Sequence, residues 1–385
     1  MASDSSDAKD DTGSSTEAGA QLSSKIVAEA PNMLDQTSDQ TSTMVWAITD
    51  GTPGMRYQAL ALAKAIQKAR PQFTVCEYQA IPHRLIRSFA RLGQQFSFLP
   101  LYANNNDANM PPNGEYPDIL ITCGRRMAGF GLAMRQRAKK AGVTTQLVHL
   151  QDPRLSPDLF DVLIVPKHDP ARGKNVITTT GSLNRLTLES IRRSMMDLPS
   201  KWLVRDTKPT VVVMLGGDNR RYKITDEMTA AMATHLKTFA TSEPMRLVLL
   251  PSRRTPPTLI PKLLADLEDG DDKIEVQTVS DDEPNPYPGI LGVADTVIVT
   301  ADSVNMACEA AIIGKPVLIA RWKIGAAQDT GQNLLGETGR IAAFHQTMIA
   351  AGHTAPLGPN LPRAPFTALD EVSEVVERLL DMLNR

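Results

Sequence analysis

The stretch VIVTADSVNMACEAAIIGKPVLIAR, residues 297–321, contains a complete strand–helix–strand unit. The β-branched run Val297–Val299 predicts a buried strand, and Val317–Ala320 predicts the next one. Between them the pattern predicts a helix that begins after Ser303, a good capping residue, and ends before Gly314. One β-α-β unit compressed in this way indicates an α/β protein with parallel strands.

The start of this helix can bind an anion. Its unpaired N–H groups and partial positive charge favour a phosphate beside Ser303. Glu309 follows on the same helix, and its carboxylate can accept two hydrogen bonds from the vicinal diol of a ribose. The alternative is an ordinary β-α-β unit with a capped helix and a solvated glutamate.

Length and charge limit the classes of protein that fit. At 385 residues the chain exceeds one ordinary core, which favours two domains. The net charge of −2 hides an asymmetry, because residues 1–43 hold eight acids against two lysines. The remainder is therefore mildly basic, which suits an anionic substrate or an acidic membrane face and is too weak to favour nucleic acid.

The amino-terminal segment and the cysteines bear on the compartment. Residues 1–42 are polar and acidic, which predicts a disordered tail without the features of a signal peptide or a mitochondrial presequence. Cys76, Cys123 and Cys308 share no metal-ligand spacing and are expected to be reduced core thiols. We expect a cytoplasmic protein. A further expectation is a peripheral position at the inner face of the membrane.

Strands and helices alternate along the whole body of the chain. This alternation predicts two Rossmann-like domains that face a cleft, at residues 43–205 and 206–362, and a carboxy-terminal helix within 363–385. Residues 323–361 are expected to be irregular. No P-loop, metal-ligand set or nucleophile elbow is present in the sequence.

Three polar loops follow predicted strands of the second domain. Because the carboxyl ends of parallel strands meet at one sheet edge, we expect these loops to converge. Their glycines allow close backbone approach and their arginines supply charge, which suits a diphosphate. The predicted binding residues are Gly216, Gly217, Asp218, Ser252, Arg253, Arg254, Asp302 and Ser303.

Candidate bases lie at strand ends of the first domain. His168 follows one strand and Asp50 follows another, and both are predicted to face the cleft as catalytic residues. Asp152 is a further carboxylate candidate. Arg125 and Arg126 follow a buried strand, where they can hold a phosphate or remain surface charges.

Residues 84–101, RLIRSFARLGQQFSFLPL, combine arginines with apolar side chains. One interpretation is a basic amphipathic segment that lies on an anionic membrane. The other is a helix that covers the sheet and keeps its arginines in water.

Several long stretches resemble the mitochondrial fission "elongated mitochondria" family. They are LQDPRLSPDLFDVLIVPKHDPARGKNVITTTGSLNR (150–185), LGGDNRRY (215–222), PSRRTP (251–256), NPYPGILGVADTVIVTADSVNMACEAAIIGKPV (285–317) and the run from Gly54 to Gln58. That family in turn resembles the glycosyltransferase-B architecture. The stretch from Ser303 through Glu309 is similar to the sugar-nucleotide unit of proteins with that architecture. The resemblance implies that both bind the donor, that Gly216 and Gly217 form an interdomain loop, and that Gly54 and Gln58 belong to the site.

Two functions follow from the resemblance. The first is a metal-independent glycosyltransferase that uses a nucleotide sugar as substrate, needs no cofactor, and acts on an envelope or other cytoplasmic-face acceptor. The second is a non-catalytic, membrane-associated adaptor that recruits dynamin-type protein partners. Convergence of Gly-Gly, Arg-Arg and Glu309 on one point would favour the enzyme, because an adaptor does not need it.

Overall fold

A computed structural model describes residues 42–98, 100–101, 110–203, 206–218, 224–240, 244–268, 273–279, 284–322, 339–359 and 365–384. The predicted tail, residues 1–42, falls outside this part of the chain except for its last residue. Within the described residues, the three cysteines are free thiols, as predicted.

Six parallel strands form the first sheet, in the order β2-β1-β3-β4-β5-β6. The inner strands are almost entirely buried and mostly apolar, as expected where helices cover both faces of a parallel sheet. The strands are β1 Met44–Thr49, β2 Thr74–Gln79, β3 Ile119–Cys123, β4 Gln146–Leu150, β5 Val162–Pro166 and β6 Val176–Thr179.

The second sheet also has six parallel strands, in the order β12-β11-β10-β7-β8-β9. These strands are β7 Thr210–Leu215, β8 Met245–Pro251, β9 Ile274–Thr278, β10 Thr296–Thr300, β11 Val317–Ala320 and β12 Ala355–Pro356. Two separate parallel sheets confirm the predicted fold class of two Rossmann-like α/β domains.

Ten α-helices are described. They are α1 Pro53–Ala69, α2 Arg84–Ser88, α3 Arg125–Lys140, α4 Leu188–Met196, α5 Asp226–Ala240, α6 Leu259–Glu268, α7 Gly289–Val293, α8 Val304–Ala311, α9 Arg340–Ala350 and α10 Glu371–Met382. Strand β12 and helix α9 correct the expectation that residues 323–361 are irregular. Phe344 and Met348 of α9 are fully buried one turn apart, and this packing stabilises the helix.

Two helices pack on the sheet of the other half of the chain. Helix α4 precedes β7 and packs against α7, with Ile191 in the core of the second sheet. Helix α10 ends the chain and packs against α1 and β6, with Leu379 in the core of the first sheet. The predicted domain limits place α4 with the first domain, whereas its apolar side lies on the second.

Residues 84–101 do not form one helix. Helix α2 ends at Ser88, and two short 3₁₀ turns follow at Ala90–Leu92 and Gln95–Phe98. The backbone approaches α3 so closely that a Cβ on Gly93 would overlap the carbonyl of Gly129. The chain therefore bends around α3 here, and a straight amphipathic helix cannot form.

Candidate functional site

A cavity of about 1000 Å³ lies between the two domains. One wall is the carboxyl edge of the first sheet, where β1, β3, β4 and β5 end. The opposite wall comes from the second domain, through Val304 and Asn305 at the start of α8 and Arg340 and Phe344 of α9. The cavity is therefore an interdomain cleft at the sheet edge where open α/β proteins bind ligands.

Positive charge dominates the cavity wall. Arginines outnumber aspartates there: Arg87, Arg125, Arg126, Arg154 and Arg340 face Asp50, Asp152 and Asp169. Arg126 lies 3.5 Å from Asp50, and Arg340 crosses the cleft to lie 3.6 Å from Asp152 and 3.3 Å from Asp169. The surplus of guanidinium groups favours an anionic ligand.

Two helix starts add to this potential. Helices α1 and α3 have no side-chain cap, and neither has an acidic residue in its first turn. Their starts are adjacent, because Gly124 (φ 82°) leaves room for the Met55 sulfur, which a Cβ would meet at 3.0 Å. Pro53 has no N–H and the Met55 N–H bonds the Thr52 carbonyl, so α1 contributes the Gly54 N–H, while α3 contributes those of Arg125 and Arg126 on the same side of the cavity.

His168 lines this cavity and is half-buried. Its ring packs edge-on against Phe344, with centroids 6.1 Å apart, and its Nδ1 has no hydrogen-bond partner among the described residues. Burial lowers the His168 pKa below its ordinary value of 6.5, and Arg340 lowers it further while Asp169 opposes both. The imidazole is neutral at pH 7 and can accept a proton.

The other predicted first-domain residues also line the cavity. Asp50 Oδ1 accepts a hydrogen bond from the Thr52 N–H at 3.1 Å, so its carboxylate is already engaged there and by Arg126. Gly54 and Gln58 belong to α1, and Gln58 Oε1 accepts from Gln151 Nε2 at 3.4 Å. The structure thus brings His168, Asp50, Gly54 and Gln58 to one cavity.

The three loops of the second domain converge on Asp302. Its side chain is fully buried and accepts hydrogen bonds from the Gly217 N–H, Arg254 Nη2, Thr300 Oγ1 and Trp322 Nε1, at 2.8–3.3 Å. A carboxylate with four donors has little capacity left for a substrate. The substrate-binding role of Asp302 stays a prediction, and in this structure its side chain holds the loops to one another.

The two glycines of this edge are needed for packing inside the protein. A Cβ on Gly216 would overlap the Asp302 carboxylate, and a Cβ on Gly217 would overlap the Arg254 carbonyl. Packing inside the protein therefore explains why glycine is needed at both positions, and no ligand is required to explain it. Neither of these two residues lines the cavity.

The remaining residues of these loops make mostly internal contacts. The Ser252 N–H donates to Thr255 Oγ1 at 2.8 Å, and Asp218 Oδ1 accepts from the Ile224 N–H at 2.9 Å. Arg253 is exposed. These predicted binding residues lie together at the edge of the second sheet, outside the lining of the cavity.

Ser303 caps the start of helix α8 and Glu309 lies within the helix, whose first two residues line the cavity. Ser303 Oγ accepts from the Met306 N–H at 3.4 Å, as a capping residue should. Glu309 accepts a hydrogen bond from the Tyr287 hydroxyl, and burial raises the pKa of its carboxyl although Tyr287 and Arg185 oppose the shift. Tyr287 was not predicted, because its position in the loop before α7 gave no signal.

Arg340 and Arg154 are cavity residues that sequence reasoning missed. Arg154 has positive φ (56°) in the loop after β4 and was recognisable only as a charge near a strand end. Arg340 begins a helix that was not expected, in the stretch assigned as irregular. No group of three or more His, Cys, Asp or Glu side chains that could hold a metal ion occurs in the described part of the chain.

A family model described as "Mitochondrial fission ELM1" matches residues 53–383. The chain belongs to the mitochondrial fission ELM1 family. A mitochondrial fission protein ELM1 of Arabidopsis thaliana is 29% identical over 261 residues, 59% of this chain and 57% of that protein. An uncharacterized protein of Rickettsia prowazekii, RP120, is 24% identical over 310 residues, 71% of this chain and 82% of its own.

The ELM1-family chain is also similar to solved structures of UDP-GlcNAc 2-epimerases and glycosyltransferases. A UDP-GlcNAc 2-epimerase of Methanocaldococcus jannaschii has 12% sequence identity and a TM-score of 0.49, over 88% of this chain and 100% of its own. Among the described residues, no helix is long and apolar enough to cross a membrane.

Proposed function

We propose that this ELM1-family protein is a nucleotide-sugar-dependent glycosyltransferase that works in the interdomain cleft. The observation that carries the proposal is the cavity of about 1000 Å³, which has an arginine-rich wall and a half-buried histidine free to take a proton. The arginine-rich wall favours anionic ligands in the cleft, and the histidine can activate an acceptor hydroxyl.

In this proposal the donor binds on the second-domain side of the cleft. The start of α8, at Ser303 and Asn305, supplies N–H groups for the diphosphate. Glu309 lies further along the same helix, and its bond from Tyr287 fixes the carboxylate for a ribose diol. Arg254 is held by Asp302, which leaves exposed Arg253 as the loop cation available to the donor.

The reaction proposed is transfer to an acceptor hydroxyl. The hydroxyl oxygen bonds to the anomeric carbon as the bond to the diphosphate breaks, and the nucleoside diphosphate leaves with the electron pair. His168 takes the hydroxyl proton. His168 suits this role better than Asp50, because Asp50 is engaged by Thr52 and Arg126.

Calorimetric titration with a panel of nucleoside diphosphates and nucleotide sugars tests the donor site. We expect saturable binding of one nucleotide, weakened at least tenfold in Glu309→Ala, because a carboxylate that accepts hydrogen bonds from a ligand contributes about 1.5–3 kcal/mol. Glu377→Ala, which removes an exposed glutamate of α10, is the matched control and should bind like the parent.

Two outcomes contradict the proposal. If the chain binds no nucleotide, the cleft is not a donor site and the adaptor function becomes the better explanation. If a nucleotide binds equally well to the parent and to Glu309→Ala, the nucleotide lies elsewhere in the protein.

A second candidate function is that of an adaptor bound to an anionic membrane. For a cytoplasmic protein, this would be the inner face of the membrane. The observation that favours it is an exposed apolar and basic surface, which we term the 84–98 surface. It exposes large side chains, including Phe89 (53%) and Phe98 (73%), between arginines: Leu85, Phe89, Leu92 and Phe98 alternate with Arg84, Arg87 and Arg91. Apolar contact combined with guanidinium charge suits acidic lipid headgroups.

Sedimentation with phosphatidylcholine vesicles, with and without phosphatidylserine, tests this surface. We expect binding to the anionic vesicles only, and about 30-fold weaker binding for Arg84→Ala/Arg91→Ala, since each basic residue near the surface contributes about 1 kcal/mol. Arg193→Ala on α4 is the control. Equal binding to both kinds of vesicle, or an unchanged double variant, would remove the electrostatic basis of this candidate.

A further inference from the structure

The cavity wall changes character along the edge of the first sheet. Strands β3, β4 and β5 are neighbours in the sheet, and each ends in polar side chains that line the cavity. Arg125 and Arg126 follow β3, Asp152 follows β4, and His168 and Asp169 follow β5. Because neighbouring strands are about 4.8 Å apart, the basic end and the end with His168 are about 10 Å apart along this edge.

The basic end offers unused hydrogen-bond donors. The side chain of Arg126 is 64% exposed, and its 3.5 Å separation from Asp50 leaves the fork of N–H groups largely free. Arg125 is exposed beside it at the uncapped start of α3, and Arg87 of α2 lines the same cavity. A planar, bidentate donor of this kind matches a phosphate.

The other end offers unused acceptors. The Asp169 side chain is only 5% exposed, and within the described residues its Oδ1 has no hydrogen-bond partner and only the Arg340 ion pair. His168 Nδ1, next to it in the chain, is also buried without a partner in the described structure. Buried acceptors without donors are costly, and a small shift of the exposed Arg340 side chain or of the His168 ring would open both atoms to ligand hydroxyl groups.

We infer that the acceptor is a phosphorylated sugar, held with its phosphate on Arg125 and Arg126 and its hydroxyls at His168 and Asp169. This inference rests on the proposed transferase function and names the class of its acceptor. The arginines at one end suit the phosphate of a ligand, and the acceptor atoms at the other end suit its hydroxyl groups. A hexose phosphate carries a phosphate at one end and hydroxyl groups at the other. The arginine, histidine and aspartate side chains line the cavity between the two ends of the sheet edge, so one ligand can contact both ends.

The sugar phosphate can be soluble or attached to a lipid. Arg87 and Ala90 line the cavity, while Phe89 between them is exposed on the 84–98 surface. A lipid-linked sugar phosphate could therefore enter from a membrane that touches this surface. Both sources share the same recognition chemistry, so the test includes one arm for each.

Calorimetry with the full chain uses glucose 1-phosphate, inorganic phosphate and glucose as soluble probes. The membrane arm uses polyprenyl-phosphate glucose in phosphatidylcholine vesicles against the same vesicles without it. We expect glucose 1-phosphate or its lipid-linked form to bind, at least tenfold more tightly than inorganic phosphate, while glucose alone fails to bind. The arm that shows the tighter binding identifies the source.

Variants locate the two ends of the ligand. Arg125→Ala/Arg126→Ala should weaken sugar phosphate and inorganic phosphate alike, by at least tenfold. Asp169→Asn should weaken the sugar phosphate and spare inorganic phosphate, because only the sugar reaches Asp169. Arg378→Ala, which removes an exposed arginine of α10 outside the cavity, is the matched control.

Failure of this inference differs from failure of the donor proposal. If a nucleotide binds and neither sugar phosphate does, the acceptor assignment is overturned and the donor site stands. If a sugar phosphate binds but the double arginine variant matches Arg378→Ala, the assignment is also overturned. If sugar phosphates bind as described and no nucleotide does, the sugar-phosphate site stands and the transferase proposal is lost.

Discussion

At the scale of the residue, the internal contacts of Asp302 are the ones least expected of a substrate-binding carboxylate. It follows a strand at the ligand-binding edge, so its position alone favoured a substrate contact. Its four donors come from Gly217, Arg254, Thr300 and Trp322, and all but Thr300 lie at least 20 residues away in the chain. A pattern of residue types does not determine which way a carboxylate turns, and long-range contacts decide it here.

Asp302→Ala is expected to destabilise the second domain. The change leaves the Gly217 N–H and the Trp322 indole N–H buried without an acceptor and leaves Arg254 unpaired, at a cost of about 3–5 kcal/mol in the free energy of unfolding. Urea denaturation followed by circular dichroism measures this cost. Asp266→Asn, on an exposed position of α6, is the control and should change stability by less than about 0.5 kcal/mol.

A stable Asp302→Ala protein would contradict this structural role. A loss below about 1 kcal/mol, together with loss of nucleotide binding, would instead return Asp302 to the predicted binding residues. The two interpretations therefore give opposite patterns in the two measurements.

Histidines show what sequence reasoning can do at this scale. His149, which lies inside strand β4, is fully buried, and its Nδ1 bonds Thr122 Oγ1 at 2.7 Å. Burial lowers its pKa to about 3. His168 follows a strand, and the structure places it in the cavity. Position relative to a strand end distinguished the two, because it decides whether a side chain meets the sheet interior or its edge.

At the scale of the element, local signals predicted the unit at residues 297–321 closely. Strand β11 spans the predicted residues, and helix α8 begins at the predicted position after its Ser303 cap. Gly314 has the positive φ (67°) that the helix end requires. Strand type, cap and terminating glycine are all encoded within a few residues, so no distant contact was needed to find them.

Elements that depend on packing were harder to predict. The periodicity in residues 84–101 indicated a helix, but the close approach of Gly93 to Gly129 breaks it into a short helix and two 3₁₀ turns. Helix α9 was missed although Phe344 and Met348 have helical spacing. Both outcomes depend on which helix lies alongside, and this information is absent from the local sequence.

At the scale of the whole molecule, each domain receives a helix from beyond its own stretch of sequence. Helix α10 follows the second domain in the chain and packs on the first, and Glu371 at its start accepts hydrogen bonds from the Thr180 and Gly181 N–H groups. Leu369, just before the helix, still packs in the core of the second sheet. Apolar periodicity predicted the helix but did not indicate which sheet it covers.

This exchange predicts where a core mutation in the last helix acts. Leu379 is fully buried in the core of the first sheet, so Leu379→Ala should lower the free energy of unfolding by about 2–5 kcal/mol. Hydrogen exchange should accelerate first in β1 and β3 and least in β7 and β10, because the space left by the truncated Leu379 side chain lies beneath the first sheet. Met382→Ala, at a 37% exposed position of the same helix, should leave both sheets close to the parent. Acceleration confined to β7 and β10 would show that α10 stabilises the second domain instead.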